Sequence, residues 1–369
     1  MNAPADDAPN NADTPAEKDD PATKDPSKKS YGDWMAWLFT PPPKKPAAEE
    51  EPLEPVKPPV AQTTQTEFVL HHHDPSPFAE KIRKLFQIKG VAWRSVQIPM
   101  SMPKPDLTAL TGGYRGTPVL QLGADIFCDS RLIAEEIERR VPFPETLRAG
   151  PVVNFGLQHW SDEAMFDAGA ALAMHEAADQ LPADLLEDRQ AYFTDMAFER
   201  FADDAPHFRA QLRAHAALID KHLQDGRRFL FGDRAQWADL NAYFPIWMAL
   251  AHIPSGAAIV EGLEALAGWR ERMDAYEGGE RTDIEASAAL DMARDAEPEP
   301  IGAPQADRET GAAVGSTVAV APMGRGSDPV VGTLATASDD RIVVTRADAR
   351  IGTVAVHFPR IGYRLTPAA

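Results

Sequence analysis

Three histidines and a serine stand close together where an apolar run meets a helix-like one. His71, His72 and His73 end the strand-like run EFVLHHH, and Ser76 precedes Pro77 and the helix-like FAEKIRKLFQIKG. Histidines can bind zinc or exchange protons near neutral pH. A serine hydroxyl can stabilise an anion or cap a helix, and the Ser-Pro pair by itself favours the cap.

The spacing of the histidines disfavours a metal site. Successive strand residues alternate faces, so His71 and His73 share one face and His72 points to the other. Zinc needs three or four converging ligands, and no second cluster at ligand spacing stands nearby in the sequence. We therefore expect no metal. Core or rim packing is favoured, with one histidine facing a pocket as a cation that tunes a thiolate as the alternative.

Composition bounds the class of protein. The chain has 369 residues, 44% of them hydrophobic, and a formal net charge of -19, which argues against nucleic-acid binding. Its single cysteine, Cys128, permits no internal disulfide and is expected to be an inert apolar residue. No apolar run reaches membrane-span length, and the acidic N-terminus is unlike a secretory signal, so we expect a cytoplasmic protein.

The first 65 residues read as a disordered tail. They are rich in Pro, Ala and charged residues, which bury too little apolar surface to offset the entropy of ordering. One aromatic island, YGDWMAWLF at Tyr31 to Phe39, interrupts them. It could dock on a partner, on a membrane surface or on the chain itself, or it could be idle.

The rest of the chain predicts an α+β multidomain protein. Residues 66–142 alternate as βαβ and then ββα, which indicates a parallel pair extended by an antiparallel hairpin. Residues 151–278 show helical periodicity throughout. Residues 279–310 read as an Ala-, Glu- and Pro-rich linker, and residues 311–369 as a small all-β module of four or five strands that packs on the helical body.

Four motifs in order resemble the soluble glutathione S-transferase family. SPFAEKIR resembles the active-site turn of its omega-like and zeta-like classes, with Ser at position 76. GTPVL resembles the cis-proline segment, DSRLIAEEIE the glutathione-binding turn, and FLFGDRAQWADLNAYFP the helical-domain signature. The resemblance implies a thioredoxin-like N-terminal domain, a helical C-terminal domain, and glutathione as co-substrate. The tail and the β module lie outside it.

The resemblance implies roles for six residues. Ser76 would be the catalytic donor to the glutathione thiolate, and Pro118 would be cis. Asp129 and Ser130 would bind the γ-glutamyl group, although Asp129 could equally be only a helix N-cap. The glutathione-binding set is completed by Thr117 and Val119, with the backbone of Val119 expected to pair with the cysteinyl part.

Three further expectations concern the second substrate and two departures from the family pattern. Aromatic and Met residues at helical spacing would line the electrophile pocket, with a core role as the alternative; they are Phe155, His159, Trp160 and Met165. Gln236 replaces the usual Ser or Thr before Asp239, so that helix start is weak or capped otherwise. Gly112-Gly113 replaces an Asn-Pro and loosens its loop.

The leading hypothesis is a glutathione transferase that activates the peptide thiol to attack an electrophilic small molecule, a role associated with detoxification. The resemblance also implies a homodimer. One alternative is a non-catalytic transferase-fold scaffold or interaction protein, because fold does not fix function. Another is a glutathione-dependent isomerase that uses the same site.

Overall fold

A computed structural model describes residues 67–324, 326 and 328–368 of the chain. The expected tail, 1–65, and its aromatic motif, Tyr31 to Phe39, lie outside the described residues. Among the described helices, none combines the length and the hydropathy that a membrane span requires.

The first described domain is the expected thioredoxin-like one. β1 pairs with β2 in parallel and with β3 antiparallel, and β3 forms a hairpin with β4. Ser76 caps α1, and Gly90, at φ 62°, ends it in the left-handed region that glycine accepts. The elements are β1 Phe68–His72, α1 Pro77–Lys89, β2 Trp93–Gln97, α2 Pro105–Thr111, β3 Val119–Leu122, β4 Asp125–Cys128 and α3 Ser130–Arg140.

The second domain is helical, as predicted. A π-helical turn, Ser161–Met165, joins its first two helices. α8 is buried on nearly every side. The helices are α4 Pro151–Trp160, α5 Phe166–Glu176, α6 Ala183–Tyr192, α7 Phe201–Leu223, α8 Trp237–His252, α9 Gly256–Val260 and α10 Glu264–Asp274, with short 3-10 turns at Ala178–Gln180 and Phe198–Arg200.

The start of α8 is capped by Asp239, the third residue of the helix. The carboxylate of Asp239 accepts the backbone N–H of Gln236 at 2.9 Å, the N–H of Leu230 at 2.8 Å and the indole N–H of Trp269 at 2.9 Å. Asp239 therefore satisfies the helix start and ties it to α10 and to the preceding loop.

The C-terminal β module consists of β6 Thr317–Pro322, β7 Val330–Ala337, β8 Arg341–Asp348, β9 Gly352–Pro359 and β10 Tyr363–Pro367. The expectation that it packs on the helical body is wrong. β9 pairs in parallel with β4, and one ten-stranded sheet results, in the order β10-β6-β7-β8-β9-β4-β3-β1-β2-β5, where β5 is Arg281–Asp283. A free β4 edge would expose unpaired backbone N–H and C=O groups. The module pairs with this edge, which the thioredoxin-like domain by itself leaves open.

The interpretation of residues 279–310 as a linker is also wrong. β5, Arg281–Asp283, pairs in parallel with β2, and α11, Ala286–Arg294, follows it. Ala289 and Ala293, one turn apart, are fully buried in the core shared with the β module. Composition hid this helix because its buried face is made of alanines, which a disordered segment also contains.

The sheet separates two apolar cores. On one side α1, α3 and the helical domain share a core that includes Leu70, Ile82 and Trp237. On the other side α2 and α11 pack with the β module around residues such as Ile126 and Phe358. Both cores extend beyond the thioredoxin-like domain. The packing of the helical domain and the β module therefore fixes the position of the loops at the ends of its strands.

Candidate active site

Ser76 lies in the turn before α1 and lines a cavity of about 330 Å³. Its Oγ accepts the Ala79 backbone N–H at 3.2 Å, so the residue is the helix cap that local sequence favours. The residue is only 4% exposed, yet it lines the cavity. Because the cap uses an oxygen lone pair, the hydroxyl hydrogen stays available for a ligand.

Three parts of the chain build the cavity wall. The thioredoxin-like domain contributes Ser76, Thr117, Pro118, Asp129 and Ser130, so five of the six residues assigned to catalysis and glutathione binding come together. The helical domain contributes residues of α5, α6 and the π turn, among them Asp162 and Phe166. The β module contributes Pro322, Met323, Gly362 and Tyr363.

Val119 does not reach the cavity. The peptide bond between Thr117 and Pro118 is cis, and the chain enters β3 directly after it. Val119 is fully buried and pairs with His71 on β1 and Cys128 on β4. A residue flanked on both sides by strands has no backbone edge to offer a peptide, so the role expected for Val119 is wrong. Thr117, before the proline, lines the cavity instead.

Asp129 and Ser130 form the acidic end of the cavity at the start of α3. Asp129 has φ 81°, and its Oδ1 accepts the Arg131 N–H at 2.9 Å. Its Oδ2 accepts the hydroxyl of Tyr363 at 3.3 Å. Burial raises the pKa of this carboxyl, and the Arg131 N–H opposes the rise. Ser130 is the first residue of α3, where free N–H groups favour an anion.

Lys104, Arg115 and Arg189 form a basic corner of the same cavity, which sequence reasoning missed. Arg115 and Arg189 share the carboxylate of Asp188, at 2.8 Å and 2.7 Å. The guanidinium of Arg115 also lies over the ring of Tyr192. These residues come from two domains, so no contiguous sequence motif predicts that they lie together.

Among the described residues, Lys104 has no carboxylate partner of its own. Within that part of the chain its ammonium donates to the Arg115 carbonyl and the Thr117 hydroxyl, both at 3.4 Å. Among the described residues no carboxylate oxygen lies within 4.0 Å of it. Burial, with Arg189 next, lowers its pKa to about 8. A buried ammonium without a counter-ion is an open position for an anionic group.

The histidines are neutral core and rim residues. The guanidinium of Arg83 donates to His72 Nδ1 at 3.2 Å, and an arginine cannot accept, so this ring is neutral and its Nε2–H faces Ser95 Oγ at 3.0 Å. Burial lowers the pKa of His72 to about 3. His71 Nε2 lies 2.8 Å from Gln121 Oε1, and burial lowers its pKa to about 4.

His73 is the histidine that lines the cavity, and within the described part of the chain its buried Nδ1 has no hydrogen-bond partner. Burial and the neighbouring Lys104 lower its pKa to about 3. A cationic histidine that tunes the thiolate is therefore the wrong interpretation. Within the described ranges, no group of three or more His, Cys, Asp or Glu side chains is placed to hold a metal ion.

Cys128 is fully buried at the end of β4. Burial raises the pKa of its thiol well above the ordinary value, with the neighbouring Asp129 adding to the rise. The thiol therefore stays protonated and packs as a small apolar side chain.

The four residues assigned to the electrophile pocket do not line this cavity. Phe155 lines a second cavity of about 420 Å³ beside Val152 and Trp237. The side chain of His159 is 64% exposed, and Met165 is fully buried in the core. Trp160 donates its indole N–H to His215 Nδ1 at 3.0 Å.

A π turn follows Phe155, His159 and Trp160 directly, and Met165 is its last residue. An α-helix repeats every 3.6 residues, and a π turn inserts an extra residue that rotates everything after it. Asp162 and Glu163 within the turn, and Phe166 directly after it, line the cavity. Periodicity alone carries no signal for such an insertion.

A buried ion pair joins the Ser76 helix to the π turn. Lys81 Nζ donates to Asp162 Oδ1 at 2.6 Å and to Asn241 Oδ1 at 3.2 Å. The ammonium also lies between 4.6 and 5.3 Å from the ring centroids of Phe78, Trp237 and Phe244. The pair fixes the helical-domain wall of the cavity relative to α1.

Two family models match the sequence. Residues 70–145 match the model described as "Glutathione S-transferase, N-terminal domain", and residues 171–272 match "Glutathione S-transferase, C-terminal domain". No curated protein matches the sequence.

Solved structures extend the likeness. A GST-like protein from Pseudomonas syringae is 33% identical with a TM-score of 0.65; the match covers 82% of this chain and 100% of that chain. That coverage exceeds residues 70–272, so it includes sequence outside the two matched domains. A glutathione S-transferase from Rhodospirillum rubrum F11 is 21% identical, with a TM-score of 0.45 and coverage of 56% of this chain and 88% of that chain.

Proposed function

Since the chain belongs to the glutathione S-transferase family, we propose that it binds glutathione in the 330 Å³ cavity and activates its thiol for attack on an electrophilic small molecule. The observation that carries the proposal is the charge pattern of the cavity. Asp129 and Ser130 line the cavity together with the three cations of the basic corner, and Ser76 also lines the wall. Glutathione has an ammonium and a carboxylate at its γ-glutamyl end and a second carboxylate on its glycine.

The γ-glutamyl group is assigned to the acidic end. Its ammonium would pair with the Asp129 carboxylate, and its carboxylate would accept the N–H and hydroxyl of Ser130 at the start of α3. Thr117, which lines the wall before Pro118, would offer backbone groups to the cysteinyl part in the manner of an added strand.

The glycyl carboxylate is assigned to Lys104. Its ammonium is buried and has no carboxylate partner among the described residues, so a ligand carboxylate would supply the missing counter-ion. Arg115 and Arg189 already share Asp188 and would add a positive field.

Ser76 would donate its hydroxyl hydrogen to the thiolate sulfur. A free thiol has a pKa of about 8.5, so little of it is ionised at neutral pH. Lowering that pKa by two units takes about 2.7 kcal/mol of preferential thiolate stabilisation. The hydroxyl and the positive end of the α1 dipole act together on the sulfur.

The experiment is calorimetric titration of the protein with glutathione, followed by a pH titration of the thiolate absorbance of the bound peptide. We expect binding at millimolar concentration or tighter. In Ser76→Ala the bound thiol pKa should rise by about one to two units, corresponding to about 1.4 kcal/mol per unit. Ser76→Thr is the matched control, because it keeps both the hydroxyl and the helix cap.

The outcomes separate the hypotheses. Absence of glutathione binding would contradict the transferase proposal and favour the scaffold hypothesis. Binding with an unchanged thiol pKa in Ser76→Ala would remove Ser76 from the mechanism. Product analysis with a chloronitrobenzene and with an isomerisable unsaturated acid would distinguish a transferase from a glutathione-dependent isomerase.

A cytoplasmic homodimer completes the proposal. The exposed side chains Val152 and Ile361, 82% and 55% accessible, flank the second cavity and are apolar enough to join a subunit interface. Light scattering on the purified chain tests the dimer, with a monomer mass as the contradicting result. Cell fractionation tests the compartment.

A further inference from the structure

Tyr363 brings the C-terminal β module into the cavity wall. It is the first residue of β10 and is 8% exposed. Its hydroxyl donates to Asp129 Oδ2 at 3.3 Å and lies 3.2 Å from the hydroxyl of Tyr114. Since Tyr363 gives its hydrogen to the carboxylate, Tyr114 must donate to the Tyr363 oxygen, and the three side chains form one hydrogen-bonded chain.

The core of the module fixes the position of this hydroxyl. The Tyr363 ring packs against Phe358 of β9, with centroids 5.5 Å apart, and Tyr114 packs against the same Phe358 at 6.1 Å. The turn before β10 is held from both sides: Met323 N–H donates to the Gly362 carbonyl at 2.8 Å, and Arg131 donates to the Ile361 carbonyl at 3.2 Å.

Asp129 depends on this partner for one of its two oxygens. Oδ1 is held locally by the Arg131 N–H, but among the described residues Oδ2 has Tyr363 as its hydrogen-bond donor. A carboxylate held at one oxygen can still rotate. Two donors fix its plane, and donation to the ionised form favours the charge that an ammonium requires.

We propose that the β module is a constitutive part of the glutathione site, and that Tyr363 is a positioning residue that holds Asp129 for the γ-glutamyl ammonium. This inference rests on the proposed function. It assigns the module a role in substrate recognition beyond closing the sheet edge, and it makes the acidic end a product of two distant parts of the chain. Tyr114 polarises the chain of hydroxyls from the loop that also carries Thr117.

The test uses the full chain and two ligands in calorimetry. Glutathione carries the ammonium, and its deaminated analogue, glutaryl-cysteinylglycine, lacks it. In Tyr363→Phe we expect glutathione to bind about tenfold more weakly, because a hydrogen bond to a charged group is lost. The analogue should bind the variant and the parent within about twofold. Tyr276→Phe is the matched control, since it removes a tyrosine hydroxyl outside the cavity lining.

A double-mutant cycle supplies the second measurement. In an Asp129→Asn background, Tyr363→Phe should cause no further loss of glutathione affinity, because Tyr363 acts through the carboxylate. If Tyr363→Phe fails to fold, Tyr114→Phe interrupts the same chain one step away. Tyr114→Phe should also weaken the binding of glutathione more than the binding of the analogue, but the loss of affinity should be smaller than in Tyr363→Phe.

Each outcome decides one hypothesis. If the parent protein does not bind glutathione, the proposed function fails. If the parent binds but Tyr363→Phe keeps its affinity, or loses affinity equally for both ligands, the positioning role of Tyr363 is overturned. A loss confined to glutathione, absent in the Asp129→Asn background, supports it.

Discussion

The acidic end and the basic corner of the cavity carry opposite charge and are built in different ways. Asp129 and Ser130 are adjacent in sequence and stand at one helix start, and among the described residues Tyr363 is the distant hydrogen-bond partner of Asp129. Lys104, Arg115 and Arg189 come from three separate places in two domains. Under the proposed assignment, the ligand end with two charged groups would bind a compact motif, and the end with one charged group would bind an assembled cluster.

The largest effect is expected at the acidic end. Asp129→Ala would leave the γ-glutamyl ammonium without a counter-ion in a buried site, and we expect glutathione to bind about 100-fold more weakly. Calorimetry with the deaminated analogue is the matched measurement. If the analogue loses as much affinity as glutathione, the acidic end does not recognise the ammonium, and the two ends are not specialised.

The basic corner is expected to give a smaller, pH-dependent effect. Lys104→Met should weaken S-methylglutathione about tenfold at pH 7, because one ion pair is lost. Burial lowers the pKa of Lys104 to about 8, so its positive charge is present below that pH and lost as pH rises through it. Affinity of the parent should therefore fall between about pH 7 and 8.5, with the window displaced upward by the bound carboxylate.

Two controls isolate the lysine. Lys104→Arg keeps the charge at all these pH values, so its affinity should not follow the same curve. Glutathione amide, in which a neutral carboxamide replaces the glycyl carboxylate, should bind the parent and Lys104→Met equally well. Equal losses for both peptides would show that the corner does not recognise the glycyl carboxylate.

The third effect concerns the stability of the fold rather than ligand affinity, at the buried His71. Burial holds the pKa of His71 at about 4, below the unfolded value of about 6.5, so the unfolded chain takes up a proton first as the pH falls. The free energy of unfolding should decline between about pH 6.5 and 4, with His71 contributing up to about 1.4 kcal/mol per pH unit.

Urea denaturation at pH 7 and pH 5.5, on the parent and on His71→Gln, measures this contribution. The glutamine removes the titrating group and retains a donor for Gln121, whose Oε1 lies 2.8 Å from His71 Nε2. We expect a shallower pH dependence in the variant. An identical slope in the two proteins would contradict the neutral, buried state of His71.

Sequence motifs predicted the thioredoxin-like domain and the helical domain. They also identified Ser76 and Asp129, which line one cavity, because each residue stands at a helix start with a local signature. They failed where position depends on a partner elsewhere in the chain. The π turn redirects the helix after Trp160 without changing its composition. Lys104 stands in a loop where a lysine is ordinary until the fold buries it.

The same limit applies to sheet pairing. Val354, Val356 and Phe358 predict a strand by their alternation, but alternation does not say which strand is the neighbour. The open edge of β4 provides the physical reason for the pairing, and that edge becomes visible only once the thioredoxin-like domain is assembled.

The closure of the sheet by late strands has a consequence for how the chain acquires its structure. Asp125 on β4 pairs with Ala355, and Arg94 on β2 pairs with Thr282. Both outer strands of the thioredoxin-like sheet therefore pair with residues that follow the whole helical domain in the sequence. Pairings between such distant residues give a high contact order, which slows folding. During synthesis, those strand edges stay open while the helices emerge from the ribosome. The cavity, whose wall includes Tyr363, is therefore among the last features that the growing polypeptide completes.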